Sequence, residues 1–327
     1  MLSAVLAFVG AIVYGAADFL GGLAAKRLRS IVVTAAAAAS GLVFLALLLP
    51  FIGGTWTLED VAWGALAGVF GVIAVALLYA CLAIGPMSIL SPLTAVVSAI
   101  APMLWGLLVN GETLSPIGYA GLGVALVAVV LVGFIPGERV VRPSVRGLLM
   151  AVGAGVSIGA FLIVIDQTSP ESGLVPLVMT RVTNLVITFV IIGALIIGAL
   201  RKGRSAGSVL DVAGVAVGAT PSGHADLEHA GVAPAPVGVA PAPVGVVTSR
   251  TRAWWFAISC GAVDAAANAV MLLALRMGDL SIVSALTALY PAGTILLAAI
   301  VLRERVAVVQ WVGLALALTA GGMLALA

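Results

Sequence analysis

The sequence predicts an all-α integral membrane protein with ten transmembrane helices in two inverted five-helix repeats. Three observations carry that expectation: a scarcity of charge, ten long apolar stretches, and an internal match whose flanking charges reverse sign. Of 327 residues, 63% are apolar and 9% are charged. A soluble domain carries roughly 25% Asp, Glu, Lys and Arg. This chain cannot cover itself with a water-facing surface, so lipid must be the solvent for most of it.

A helix needs about 20 mostly apolar residues to cross ~30 Å of hydrocarbon, and it satisfies its own backbone hydrogen bonds while doing so. The stretches are Leu2–Ala25, Ile31–Phe51, Val61–Leu82, Ile89–Val109, Ile117–Phe134, Gly147–Ile165, Leu174–Leu200, Ala253–Leu275, Leu280–Leu302 and Val306–Ala327. The first has no basic n-region and too long an apolar run for a secretory leader, so it is read as a retained helix. Pro92, Pro102 and Pro291 are expected to kink the fourth and ninth stretches and free nearby carbonyls.

Self-comparison places the repeat. Gly85–Ile100 (GPMSILSPLTAVVSAI) aligns without gaps on Gly278–Gly293 (GDLSIVSALTALYPAG), and eight of 16 positions are identical. Glu112 and Glu304 follow at nearly equal spacing, each before another apolar helix. Residues 1–136 therefore form one five-helix repeat and 145–327 the other. An odd number of helices per copy makes the copies cross in opposite senses.

Equivalent connections should then differ in sign, because Lys and Arg favour cytoplasmic loops. Lys26, Arg27 and Arg29 follow the first stretch, whereas Asp166 and Glu171 follow the sixth. Glu112 follows the fourth, whereas Arg303 and Arg305 flank Glu304 after the ninth. Of the 15 basic residues, 13 fall in connections 1–2, 5–6, 7–8 and 9–10. The odd-numbered connections of a multi-pass cell-membrane protein are thus expected in the cytoplasm. The connection at about 201–252 holds GVAPAPV twice in succession and suits a flexible tether. It also contains HADLEH, with His224 and His229, but a tether holds no preformed metal geometry.

Three charged residues lie deep in apolar stretches: Asp18, Arg181 and Asp264. A charge at the bilayer centre costs roughly 2.5–3.5 kcal/mol and needs a paired or hydrated site. Asp264 could exchange a proton or hold a cationic group, with Asn268 one turn on to orient it; the alternative is a neutral, buried carboxyl. Arg181 could grip an anionic group or serve as counter-ion to Asp18 or Asp264. Ser91, Thr94, Ser284 and Thr287 could line a polar cavity or hydrogen-bond between helices. Tyr290 and Trp105 could wall that cavity or simply pack. Glu112 and Glu304 read as helix-end residues, and Cys81 and Cys260 as small buried hydrophobes without CxxC spacing.

No GxxxxGK[ST] loop, HExxH or Gly-x-Ser-x-Gly appears. Neither a cofactor, a metal nor an enzymatic activity is expected.

The repeated block, with its LTA core and a Gly-Glu or Arg-Glu step before the next helix, resembles the EamA-type repeat of the drug/metabolite transporter superfamily. The segment GAADFLGGLAAKR resembles the start of such a first repeat, and Arg181 in MTRVTNLV sits where these repeats often carry an arginine. The resemblance implies a ten-helix inverted-repeat fold with a central cavity shaped by helices 1–4 and 6–9, helices 5 and 10 being peripheral. The chain departs from the pattern in TAAAAASGLVF, which has no matching arginine, and in having Ser98 where the second copy has Pro291.

The implied function is secondary transport: efflux or exchange of small metabolites, amino acids or amphipathic organic compounds, by rocking of the inverted halves. A lipid or lipid-linked sugar flippase and a non-transporting intramembrane binding or signalling protein are the alternatives. Expected partners are a small-molecule substrate, a proton or other coupling ion, and the bilayer. A second copy of the chain is a further candidate, and no nucleic acid is expected.

Overall fold

A computed structural model describes residues 1–25, 28–84, 87–133, 144–203, 250–302 and 307–327, without the side chains of 30, 79–84, 87–89, 91, 92, 298 and 302. The first half supplies α1 (Leu2–Ala25), α2 (Ser30–Ile52), α3 (Leu58–Ile84), α4 (Met87–Leu108) and α5 (Pro116–Gly133). The second supplies α6 (Val145–Asp166), a 3-10 turn (Pro170–Ser172), α7 (Val175–Arg201), α8 (Arg250–Met277), α9 (Leu280–Thr287), α10 (Tyr290–Leu297) and α11 (Val308–Ala325). Among the described residues, nine spans are long and apolar enough to cross a bilayer, α9 and α10 counting as one. The 22-residue α4 supplies a tenth apolar segment. The protein is an all-α integral membrane protein, as its composition requires.

The helices lie where the apolar stretches predict, with one interruption. The ninth stretch breaks at Ala288–Leu289, one turn after which Ala292 N–H donates to Leu289 O at 2.9 Å. Pro291 has no N–H to offer the carbonyl of Thr287, four residues earlier. By contrast, α4 continues through Pro102 without interruption.

Packing crosses the two halves. Helix α1 packs on α8 and on α9 and α10, and in the same way α6 packs on α3 and α4. Helix α2 packs on α8 as α7 packs on α3. Each pairing thus recurs when the halves are exchanged, which is the pattern an internal twofold produces. The result is two mixed bundles, one of α1, α2, α8, α9 and α10 and the other of α3, α4, α6 and α7. They meet through α2 against α7 and α4 against α9, while α5 packs on α11.

Small residues permit these crossings, as expected where lipid offers no hydrophobic drive between helices. A Cβ on Gly15 of α1 would lie 2.6 Å from the Gly293 Cα and the Tyr290 carbonyl. Gly155 of α6 plays the matching part against Thr94 and Val97 of α4. Gly261 of α8 rests on Ala37 and Ser40 of α2, and Gly68 of α3 on Thr180 and Thr183 of α7.

Candidate functional site

A cavity of about 410 Å³ lies between the two bundles. That volume suits a small molecule. Every long helix except α5 and α11 contributes to its wall. Its lining is mostly apolar, and the charged side chains on it, among the described residues, are Asp18, Arg181 and Asp264. These three are the residues singled out from sequence as deep charges, and the fold brings them to one place.

Arg181 is buried and pairs directly with Asp264, its Nη2 donating to Oδ2. The ion pair links α7 of one bundle to α8 of the other. Asn268, one turn along α8, donates from Nδ2 to the Asp264 carbonyl at 2.8 Å and to Oδ2 at 3.4 Å. Counter-charge and amide together make a buried carboxylate tolerable, since an unpaired one in apolar surroundings is costly. The Arg181 fork has further donors, and 28% of the Asp264 side chain remains exposed.

Around the pair, Tyr14 donates to Met271 Sδ at 3.5 Å and Thr188 donates to the Asn184 carbonyl at 2.7 Å. Asn184 Oδ1 and Thr287 Oγ1 are buried without a hydrogen-bond partner among the described residues. Both residues belong to the cavity wall. The Pro291 break also leaves the Thr287 carbonyl without an α-helical partner at the same wall.

The other sequence candidates divide. Ser284, Thr287 and Tyr290 line the cavity. Thr94 does not: its hydroxyl donates to the Leu90 and Ala151 carbonyls at 3.0 and 3.1 Å, joining α4 to α6. Trp105 does not either, being 37% exposed near the far end of α4. The side chain of Ser91 lies outside the described residues, as do Cys81, Glu304, Arg303, Arg305 and the HADLEH segment. Sequence reasoning left out Tyr14, Asn184, Thr188, Phe161 and Ser98 as lining residues. Spacing could have found three of them. Tyr14 is one turn before Asp18, and Asn184 and Thr188 continue the Arg181 face.

The two ends of the cavity differ. Its wall reaches Ile31 and Val33 in the first turn of α2, on the face of the odd-numbered connections. On the even-numbered face, backbone contacts join the connections to one another. Thr55 N–H donates to Glu171 O at 2.8 Å, and Leu174 N–H to Gly53 O at 3.5 Å. Glu112 accepts from the N–H groups of Leu280 and Ser281 at 2.8 and 3.0 Å, capping α9. Asp279, the N-cap residue itself, makes no side-chain cap.

Burial first, and then the neighbouring Glu112 carboxylate, hold the Asp279 carboxyl above its ordinary range. A raised folded-state value means that charged Asp279 opposes folding at neutral pH, and that protonation relieves the opposition as pH falls through that value. Asp279→Asn is therefore expected to raise the melting temperature at neutral pH. The gain should shrink toward the ordinary carboxylate value near ~3.9. A pH-independent change in thermal unfolding would contradict this.

Residues 230–325 match the model of the EamA-like transporter family. No curated protein sequence matches the chain. A solved structure bearing only the words "Crystal structure of protein" has the same fold, with a TM-score of 0.67 at 15% identity over 99% of this chain and 98% of that one.

Proposed function

We propose that the chain is an EamA-like membrane transporter of small molecules and that it works as a secondary transporter by alternating access. The observation that carries this reading is the Arg181–Asp264 pair, which spans the two bundles inside a solute-sized cavity. Residues 1–136 and 145–327 are its two repeats. Its moving bodies are the mixed bundles rather than the sequence halves, because the packing crosses between the halves. With the basic odd-numbered connections in the cytoplasm, the cavity faces inward and efflux or exchange begins from this state.

Asp264, Asn268, Asp18 and Arg181 form the polar part of the binding region. The apolar walls favour a small amphipathic metabolite or amino acid. Asp264 is the group through which a proton or a substrate amine couples to movement, since it pairs with Arg181 across the bundles and is still partly open to the cavity.

Comparing metabolites in cells that lack and that overproduce the protein identifies the solute. Proteoliposome flux of that solute under an imposed pH gradient should fall to background on Asp264→Asn. Unchanged flux and pH dependence would remove Asp264 from the mechanism. Saturable binding with no flux in the unaltered protein would favour the binding-protein alternative.

A further inference from the structure

On the even-numbered face, side chains tie the two bundles to each other. Among the described residues, Glu112 and Arg276 are charged side chains that cross there between the bundles; each hydrogen-bonds neutral groups, and Arg276 also lies in the field of Asp166, Asp60 and Glu171. Glu112, following α4, holds the backbone N–H groups that begin α9. Arg276, in the last turn of α8, donates to the Thr168 carbonyl, to Thr168 Oγ1 at 2.6 Å and to Ser172 Oγ at 3.3 Å. Thr168 and Ser172 belong to the connection between α6 and α7, in the other bundle.

Both ties are seated by their surroundings. A Cβ at Gly106 would collide with the Glu112 carboxylate, so the glycine makes room for it. Glu112 N–H also donates to the Gly106 carbonyl at 3.0 Å. The segment gripped by Arg276 is held in place within its own bundle. Asp60 Oδ1 accepts from Ser169 N–H at 2.7 Å, and Oδ2 from the Ser169 hydroxyl at 2.8 Å and from Thr57 at 2.5 Å. Asp60 does not itself cross the bundle interface.

From this arrangement we infer that Glu112 and Arg276 are the latch of the even-face gate, and that both ties must break for the cavity to open on that side. The inference rests on the alternating-access reading. Water can replace a backbone amide or a hydroxyl as partner to a charged group, so breaking these ties at the surface exposes no unpaired charge. A carboxylate–guanidinium pair would be harder to separate. Charge-assisted bonds to neutral groups make a gate that is firm when shut and still opens.

Accessibility of a cysteine at the gate tests the latch without any flux. Val175 is fully buried, and a Cβ on Gly54, in the connection after α2, would lie 3.1 Å from it. In a Cys81→Ala, Cys260→Ala background, Val175→Cys should react slowly with a membrane-impermeant maleimide present on both sides of proteoliposomes. Glu112→Gln and Arg276→Gln should each speed labelling about tenfold, the shift expected when one bond to a charged group is lost from one side of a two-state equilibrium. Lys202→Gln, at the opposite face, should leave the rate alone.

Should the charge variants misfold, Thr168→Val with Ser172→Ala removes the hydroxyl partners of Arg276 and should shift labelling in the same direction. Unchanged labelling in the folded variants, or equal acceleration by Lys202→Gln, would overturn the latch. A chain whose gate opens as expected while no solute moves would instead count against the transport reading.

Discussion

Arg181→Met should destabilise the protein by about 3–5 kcal/mol, the usual consequence of removing one partner from a buried ion pair, and should abolish flux. The methionine fills much of the arginine volume but leaves Asp264 facing apolar walls with only Asn268 for support. Partial exposure of Asp264 places the effect toward the lower end of that range. The double variant Arg181→Met, Asp264→Leu removes both charges, so it should recover much of the lost thermal stability. It should recover none of the flux. Thermal unfolding in detergent and proteoliposome flux, measured on all three variants, separate the contributions. A double variant as unstable as the single would show that the stranded carboxylate is not the source of the loss.

Gly261→Val should be nearly as damaging, although the residue carries no functional group. Its added atoms would enter the space held by the Ala37 backbone and the Ser40 hydroxyl. Overpacking typically costs about 1–3 kcal/mol, and here backbone stands in the way, so α2 must move away from α8. Gly41 of α2 lies beside both Gly261 and the Arg181 guanidinium, its added Cβ being 2.9 Å from the Gly261 carbonyl and 3.4 Å from Arg181 Nε. Displacing α2 therefore disturbs the ion pair as well as the packing. Both melting temperature and transport rate should fall. Gly193→Val on α7 has nothing within 4 Å of the added Cβ and should change neither. Equal effects from the two substitutions would show that the α2–α8 crossing is not the reason.

Much of this was legible in the sequence because lipid makes strong, simple demands. Apolar length alone located the helices, and the cost of burying charge pointed to Asp18, Arg181 and Asp264, which all line the cavity. What was not legible was partnership. Arg181 could have paired with either aspartate, and only the approach of α7 to α8 decides for Asp264. Thr94 and Thr287 occupy equivalent positions in the repeat, yet Thr94 bridges α4 to α6 while Thr287 faces the cavity. Identical residues diverge because Pro291 breaks the helix beyond Thr287, and Ser98 at the corresponding place leaves α4 continuous. Trp105 illustrates the converse limit: an aromatic in a polar-flanked helix gives no sign of which way it points.

The exchange of helices between the halves also bears on how the chain is made. Helix α1 leaves the ribosome well before its packing partners α8, α9 and α10. Until those helices are made, α1 waits in the bilayer with its Gly15 face lacking its final neighbours. Helix α6 has no such delay, since α3 and α4 precede it. The two halves share one architecture but not one assembly history, and the bundle containing α3, α4, α6 and α7 can be complete before the other has its second half.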